Sequence, residues 1–296
     1  MRAIVTGAGG MLGQAATTAL RAAGHLVVPL PHSRFDITCA STVGEAFRIH
    51  SPDAVVNCAA FVNVDVAETN EAAALRVNGD GARNIAAACA RIGARLLHVS
   101  TDYVFAGDSD APYAEDDPAA PRTAYGRTKL VGERAVLELL PDTGTVVRTA
   151  WLYGSGGAHF VATIARLVHA RENGHRTDPI GVVDDQFGQP TWTGDVAAGL
   201  AELLDRPPVP GVLHATNSGE TTWHGLAREA VSLLGGDPGH VRPISSAELG
   251  RPAPRPMRST LSHGRWTREG LSPMRHWRAA LHAAWPTLGL SIRGTR

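Results

Sequence analysis

Two side chains four residues apart have the types needed to reduce a carbonyl group. The 28 basic residues of the chain include one lysine, Lys129, and it follows Tyr125 by four positions. On a helix, residues i and i+4 lie on one face, so the phenol and the ammonium group would point into the same space. Reducing a ketone needs a hydride on carbon and a proton on oxygen, and an unperturbed phenol, with a pKa of about 10, donates poorly at neutral pH. We therefore expect Lys129 to lower the pKa of Tyr125 and to bind the ribose of the cofactor.

A third group has to bind the carbonyl oxygen of the substrate. Ser100 and Thr101 stand at the end of an apolar run that we predict to be the fourth strand. Parallel sheets bind ligands at the carboxyl ends of their strands, so both hydroxyl groups are well placed. We assign the role to Thr101 and keep Ser100 as the alternative.

A glycine-rich turn near the start of the chain has the form of a dinucleotide site. Gly7, Gly10 and Gly13 stand between a predicted strand and a predicted helix. Glycines there permit unusual backbone angles and the close approach of a pyrophosphate, and the helix N-terminus offers free N–H groups to the anion. In a chain with 32 glycines the spacing alone is a weak signal. The position between strand and helix favours a nucleotide site over a plain turn.

The residues after the second predicted strand bear on the choice of cofactor. A carboxylate at this strand end would bind the ribose hydroxyls of NAD, but the sequence has Ser33 and Arg34 there. Arginine is a planar partner for phosphate, so we predict NADPH, with NADH use left open. Asp36 comes slightly later, and it either binds the adenine or caps the following helix.

Strand-length apolar runs alternate with helix-length amphipathic stretches through the first half of the chain, which predicts the α/β class. The predicted strands are 2–6, 25–30, 54–60, 95–100 and 145–150, and the predicted helices are 11–23, 43–50, 71–92 and 124–140. This order is typical of a Rossmann-type doubly wound parallel sheet. We predict a Rossmann domain over residues 1–152 and a smaller substrate-binding lobe over 153–296, with a return to the sheet near 189–216.

Composition excludes several classes of protein. The 296 residues are 44% hydrophobic, and the formal charge is zero with dispersed arginines. A nucleic-acid binder would need a basic stripe, so we expect no nucleic-acid partner. No apolar run of about 18 residues occurs, and the first apolar stretch is too short for a signal peptide, so we expect a cytoplasmic protein without a membrane partner. The 3 cysteines lack paired spacing, and we expect reduced thiols.

Together these motifs resemble the dTDP-4-dehydrorhamnose reductase family, within the extended short-chain dehydrogenase/reductase superfamily. The resemblance covers nearly the whole chain, and the segments that carry it include NCAAFVNVDVAE, HVSTDYVF, AYGRTK, VRTAWLYG, VDDQFGQPT and RPAPRPMRSTL. It implies that Thr101, Tyr125 and Lys129 form a catalytic triad. It implies a set of further cofactor contacts: Gly7, Gly10, Met11, Leu12, Asp36, Ala59 and Ala60. It also implies substrate contacts from Asp102, Tyr103, Trp151, Gln186 and Pro190, although a core aromatic is the alternative for Trp151.

The resemblance also implies a reaction. Dehydratases of this superfamily carry Thr-Asp-Glu where this chain has Thr101, Asp102 and Tyr103, so the missing glutamate favours ketone reduction over dehydration. Some members form metal-bridged dimers through acidic residues early in the first helix. This chain has Gln-Ala-Ala at 14–16, so we expect no metal and a monomer or weak homodimer.

The expected reaction is the NADPH-dependent reduction of the 4-keto group of a dTDP-sugar, dTDP-4-dehydro-6-deoxy-L-mannose. Two alternatives stay open. One is a reductase of another dTDP-keto sugar in an antibiotic pathway, such as that of dTDP-dihydrostreptose formation, and the other is an NADP-binding regulatory subunit without turnover. Arg255 or Arg258 is a candidate for binding the diphosphate of the substrate.

Overall fold

The computed structural model of the chain describes residues 1–175 and 177–290. Its strands, in chain order, are β1 (Arg2–Thr6), β2 (Leu26–Leu30), β3 (Ala54–Asn57), β4 (Arg95–Thr101), β5 (Gly144–Thr149), β6 (Leu152–Tyr153), β7 (Ile180–Val183), β8 (Phe187–Gly188), β9 (Thr191–Trp192), β10 (Gly211–His214), β11 (Thr221–Thr222) and β12 (Val241–Ile244).

The α-helices of the same residues are numbered in chain order. They are α1 (Met11–Ala22), α2 (Ala40–His50), α3 (Val64–Thr69), α4 (Glu71–Leu75), α5 (Ala82–Ile92), α6 (Ala124–Leu139), α7 (Phe160–Glu172), α8 (Thr193–Asp205), α9 (Trp223–Leu233), α10 (Ser246–Leu249), α11 (Gly264–Arg268) and α12 (Trp277–Ala284). None of them is long and apolar enough to cross a membrane.

Six strands form one parallel sheet in the order β10-β5-β4-β3-β1-β2. The chain leaves β1 toward β2 on one side and returns to β3 on the other, so a crevice opens at the carboxyl ends of β1 and β3. The predicted doubly wound α/β fold is confirmed. The strand predicted to return to the sheet is β10, which pairs with β5.

Both faces of the sheet are covered by helices, as a parallel sheet requires. Alternate residues of β1 face opposite sides: Val5 packs with Leu12 and Leu200 in one core, while Ile4 packs with Phe47 in the other. A third core lies outside the sheet and includes Tyr153, Ile164, Leu226 and Trp277. The predicted division at residues 152 and 153 stays a prediction, and residues 176 and 291–296 of the predicted lobe lie outside the described residues.

Two predicted elements differ from the observed ones. The strand predicted over 54–60 ends at Asn57, whose side-chain oxygen accepts a hydrogen bond from Ala59 N. The helix predicted over 71–92 contains a π-helical segment, Arg76–Gly81. Within that segment the Asn78 side chain hydrogen-bonds Phe61 N and Thr128 Oγ1. These contacts join the π-helical turn to the loop after β3 and to α6. Sequence periodicity alone does not predict such a turn.

Candidate active site

A cavity of about 710 Å³ lies at the carboxyl ends of the central strands. Most of the predicted site residues line it: Gly7, Gly10, Met11, Leu12, Gly13, Asp36, Ala59, Ala60, Thr101, Asp102, Tyr103, Tyr125, Lys129 and Trp151. The predicted residues outside its lining are Ser33, Arg34, Gln186 and Pro190. The structure therefore brings the glycine turn, the Tyr-Lys pair and the end of β4 to one cavity.

The glycine turn is shaped for close backbone approach. Gly7 has a φ of +65°, and a Cβ there would lie 2.6 Å from Ala59 N. A Cβ at Gly13 would collide with the carbonyl oxygen of Gly7. Gly10 caps α1, whose first turn carries no acidic side chain. The N-terminus of α1 can thus present N–H groups to an anion without a competing carboxylate.

The wall near β2 is formed by residues that follow this strand. Asp36 Oδ1 accepts a hydrogen bond from Thr38 N at 2.9 Å, which lowers the pKa of the carboxyl group. Cys39 rather than Asp36 is the N-cap of α2, so the capping alternative is wrong. His32 also lines the cavity, and sequence reasoning missed it although it adjoins the Ser-Arg pair.

Ser33 and Arg34 are exposed and flank this part of the cavity without lining it. The chain turns after β2, where Arg34 N and Phe35 N both donate to Pro31 O. This turn directs His32 and Phe35 to the cavity. A role for Ser33 and Arg34 in cofactor choice stays a prediction.

The Tyr-Lys pair is carried by the first two turns of α6. Thr123 caps this helix, since its side chain accepts a hydrogen bond from Gly126 N at 3.0 Å. Gly126 packs against the carbonyl oxygen of Tyr103, where a Cβ would collide. The small residue therefore lets α6 approach the end of β4 and places Tyr125 and Lys129 on the cavity wall.

The predicted lowering of the Tyr125 pKa is wrong in this structure, because the net change is a rise. Desolvation raises the pKa of Tyr125 to about 12, and a hydrogen bond with the Thr101 side chain opposes this only in part. Lys129 Nζ donates to Val99 O at 2.7 Å. Burial also acts on the lysine and lowers its pKa to about 8, and the charge of Glu133 opposes this change only in part.

Thr101 and Asp102 form a hydrogen-bonded pair beside the phenol. Thr101 Oγ1 donates to Asp102 Oδ1 at 3.0 Å and accepts from Tyr103 N at 3.2 Å. Burial raises the pKa of Asp102 to about 6. Ser100 also lines the cavity, but Thr101 is the hydroxyl that contacts Tyr125. The geometry thus favours Thr101 over Ser100 as the group next to the proton donor.

A pair of tryptophans lines the end of the cavity that lies near α9. The rings of Trp151 and Trp223 stack with centroids 3.6 Å apart and planes 7° apart. Trp151 has a φ of +45°, a strained value for a large side chain. Its ring edge lies against Gly188, where a Cβ would fall 2.5 Å from Trp151 Cε2. Both rings line the cavity, so Trp151 is not simply a core residue.

Sequence reasoning missed Trp223, which starts α9, 72 positions after Trp151. Trp223 Nε1 donates to Gln186 Oε1 at 3.1 Å, and Gln186 Nε2 donates to Ser246 Oγ at 2.7 Å. Gln186 therefore stands behind the aromatic wall, where it holds Trp223. Pro190 is buried and also lies outside the lining.

The two arginines considered for the diphosphate are engaged elsewhere. Arg255 pairs with Asp65 at 2.9 Å, and Arg258 pairs with Glu220. Neither arginine lines the cavity.

The site as a whole joins an anion-binding turn, a protonated phenol with a buried lysine beside it, and a flat apolar wall. Such a site can hold a dinucleotide at one end and a ring-containing substrate at the other, with a proton donor between them.

Comparison with known proteins gives the same picture. A family model described as RmlD substrate binding domain matches residues 1–288. A dTDP-4-dehydrorhamnose reductase of Streptomyces griseus is 53% identical over 291 residues, which are 97% of this chain and 94% of that protein. A dTDP-4-keto-6-deoxy-D-glucose reductase of Streptomyces niveus is 48% identical over 287 residues, 97% of each chain.

Solved structures agree. The crystal structure of a dTDP-4-dehydrorhamnose reductase from Bacillus anthracis in complex with NADP superposes with a TM-score of 0.90 at 35% identity. The match covers 96% of this chain and 98% of that one.

Proposed function

The chain belongs to the dTDP-4-dehydrorhamnose reductase family, and from this premise we propose that it reduces the 4-keto group of dTDP-4-dehydro-6-deoxy-L-mannose to give dTDP-L-rhamnose. It is an oxidoreductase that uses NADPH. The observation that carries the proposal is the meeting of Thr101, Tyr125 and Lys129 with the glycine turn in one cavity.

The residues present fit a dinucleotide. Gly7 and Gly13 let the turn pack closely against backbone atoms of the protein, and the start of α1 then lines the cavity. The residues that would hold the cofactor are those of the turn and its neighbours: Gly7, Gly10, Met11, Leu12, Gly13, Asp36, Ala59, Ala60, Tyr125 and Lys129. When bound, the reduced nicotinamide supplies the hydride for the carbonyl carbon.

Tyr125 holds the proton that the reduced oxygen takes up. With a pKa of about 12 the phenol is fully protonated at neutral pH, so the proton is present when the alkoxide forms. Thr101, in contact with the phenol, orients the carbonyl oxygen toward it. Lys129 binds the cofactor ribose and stabilises the phenolate after the proton has left.

The other end of the cavity binds the sugar nucleotide. Asp102 and Tyr103 line the cavity beside Thr101, and Trp151 lies across it with Trp223 behind its ring. A stacked indole pair offers a rigid flat face to a base or a sugar ring. Gln186 contributes by holding Trp223. Pro190 is proposed as a substrate contact from its position in the VDDQFGQPT segment that resembles the family.

A second substrate is favoured by one comparison. The relative from Streptomyces niveus is 48% identical and is named for a different dTDP-keto sugar. Because the shape of the pocket decides which sugar fits, a close relative of the same reaction type can differ in substrate. Reduction of another dTDP-4-keto sugar is therefore the second candidate function.

One preparation tests both candidates and the regulatory alternative. The purified protein is mixed with NADPH and each member of a panel of dTDP-keto sugars, and the loss of NADPH absorbance is followed. We expect turnover with the rhamnose precursor and almost none from a Tyr125→Phe variant that still binds NADPH. Preference for a different sugar would support the second candidate. A folded protein that binds NADPH but oxidises it with no sugar would contradict both and favour a regulatory subunit.

The proposal includes the expected cytoplasmic location and the monomeric or weakly dimeric state. Sedimentation velocity of the purified protein tests the assembly state, and a stable tight dimer would contradict it.

A further inference from the structure

A row of buried polar side chains runs from β1 to Lys129 beneath the cavity. Thr6 Oγ1 donates to Asn57 Oδ1 at 2.6 Å, and Asn57 Nδ2 lies 3.0 Å from His98 Nδ1. His98 Nε2 lies 3.4 Å from Lys129 Nζ. All four residues are at most 1% exposed. We call these four residues the buried polar row.

The hydrogen bonds of Asn57 determine which nitrogen of His98 carries the proton. Ala59 N donates to Asn57 Oδ1 at 3.2 Å, and a backbone N–H can only donate. Asn57 therefore presents its NH₂ group to His98 Nδ1, which must accept. Burial lowers the pKa of His98 well below its ordinary value, so the ring is neutral. Its single proton is then on Nε2, facing Lys129.

This arrangement gives Lys129 an unusual partner. An ammonium group can donate hydrogen bonds but cannot accept them. Lys129 Nζ faces the N–H of His98, which is a donor, and Val99 O, which is an acceptor. A neutral amine, by contrast, has a lone pair that accepts the histidine N–H. The contact thus favours the amine relative to the ammonium form.

The other titratable groups around Lys129 do not cancel this contact. Cys58 lies after β3, and burial raises the pKa of its thiol to about 12, so it is neutral. Glu133 lies one turn further along α6, and its charge favours the ammonium form less than burial disfavours it. Its carboxylate is hydrogen-bonded to Arg148 of β5 at 2.7 Å. Tyr125 is protonated at neutral pH.

We propose that His98 is a positioning residue that fixes Lys129 Nζ at the cavity wall and sets how readily this nitrogen releases its proton. Asn57 and Thr6 hold His98 in the tautomer that does this. The catalytic consequence rests on the proposed function, in which Lys129 supports Tyr125. The effect on Lys129 itself does not depend on the substrate.

The single lysine of the chain makes the test direct. Protein labelled with ¹³C-lysine gives one side-chain resonance set, and its pH titration reports the pKa of Lys129 alone. We expect His98→Asn, which lacks an N–H at the Nε2 position, to raise that pKa by about one unit, a tenfold change in the ratio of ammonium to amine. The matched control is His214→Asn, a fully buried histidine of β10 outside the row, which should leave the titration unchanged.

A second variant separates loss of the N–H from entry of water. His98→Met keeps most of the volume of the ring but offers no N–H, so it should raise the pKa of Lys129 as His98→Asn does. An unchanged titration in both variants, or a rise in His98→Asn alone, would overturn the proposal. The wild-type protein gives an independent check if the variants do not fold. The ring of His98, found by its cross-relaxation to the only lysine, should be neutral and protonated on Nε2, and the other tautomer would overturn the proposal.

Kinetics connect the effect to the reaction. The basic limb of the pH profile of kcat should move upward in His98→Asn by the same amount as the lysine titration, while His214→Asn keeps the wild-type profile. An unchanged basic limb of the kcat profile, together with a raised pKa of Lys129, would overturn the proposed effect of His98 on catalysis. If the wild-type protein reduces no keto sugar, the proposed function fails, and the titrations still decide the role of His98.

Discussion

Replacing Lys129 by methionine should strongly reduce activity and stabilise the fold. The lysine is 1% exposed, and burial lowers its pKa from 10.5 to about 8. At about 1.4 kcal/mol per pKa unit, the folded protein disfavours the charged side chain by about 3 kcal/mol relative to water. Methionine has a similar unbranched length and no charge, so Lys129→Met removes this cost.

Part of the gain is offset by a lost hydrogen bond. Lys129 Nζ donates to Val99 O at 2.7 Å, and a buried carbonyl left without a donor costs about 1 to 3 kcal/mol. We therefore expect Lys129→Met to be more stable than the wild-type protein by about 1 kcal/mol near pH 7. Turnover should fall by about 100-fold or more, since the phenolate and the ribose lose their cationic partner.

The pH dependence has a definite sign. The folded-state pKa of Lys129 lies below its unfolded value, so between about pH 8 and pH 10.5 the unfolded state binds more protons. Below about pH 8, Lys129 is charged in both states, and the whole cost of burying the charge lowers the stability of the fold. This cost decreases as the pH rises and disappears above the pKa of lysine in the unfolded chain. The stability difference between the two proteins should shrink and reverse across this window, because only the wild-type side chain titrates.

Urea unfolding, followed by tryptophan fluorescence, measures this difference near pH 7 and near pH 10. Other groups titrate in the same range, but they are common to both proteins and cancel in the comparison. A methionine variant that is less stable than wild type by the same amount at both pH values would refute the reasoning. It would mean that the buried charge is compensated in the folded protein.

Three further predictions concern the cavity. Tyr125→Phe should lower kcat by about 10²- to 10⁴-fold while NADPH still raises its melting temperature; residual turnover near wild type would exclude Tyr125 as the donor. Gly188→Ala places a Cβ 2.5 Å from the Trp151 ring. It should raise KM for the dTDP-sugar by about tenfold, with a smaller change in KM for NADPH. Equal changes in both KM values would contradict a substrate role for the Trp151–Trp223 pair. Asp102, with a pKa of about 6, should give kcat/KM a titration near that pH, absent in Asp102→Asn; a step that persists in the variant belongs to another group.

The glycine turn and the Tyr-Lys pair could be predicted because they follow from local rules. Gly7 needs a positive φ in a turn between strand and helix, and Tyr125 and Lys129 share a face because four residues make about one helical turn. The alternation of strands and helices then implies that these segments meet at the carboxyl edge of one sheet. No knowledge of distant contacts is needed for these steps.

Other features depend on contacts between distant segments. Trp223 reaches the cavity because its ring stacks on Trp151, which follows β5, and donates a hydrogen bond to Gln186. No local sequence pattern predicts that contact. The pKa of Tyr125 depends on how much water the fold removes from the phenol. A nearby lysine suggests a lowered value, and only the three-dimensional structure shows that desolvation has the larger effect.

The structure also explains why the one lysine is not an arginine in a chain that otherwise uses arginine for positive charge. Nζ lies between Val99 O at 2.7 Å and His98 Nε2 at 3.4 Å, a space suited to a compact group. A guanidinium is broader and keeps its charge at all ordinary pH values. With a pKa of about 8, Lys129 exchanges its proton near neutral pH, which an arginine cannot do. Lys129→Arg should therefore be inactive even though it preserves the positive charge, and a variant with wild-type turnover would show that charge alone is required.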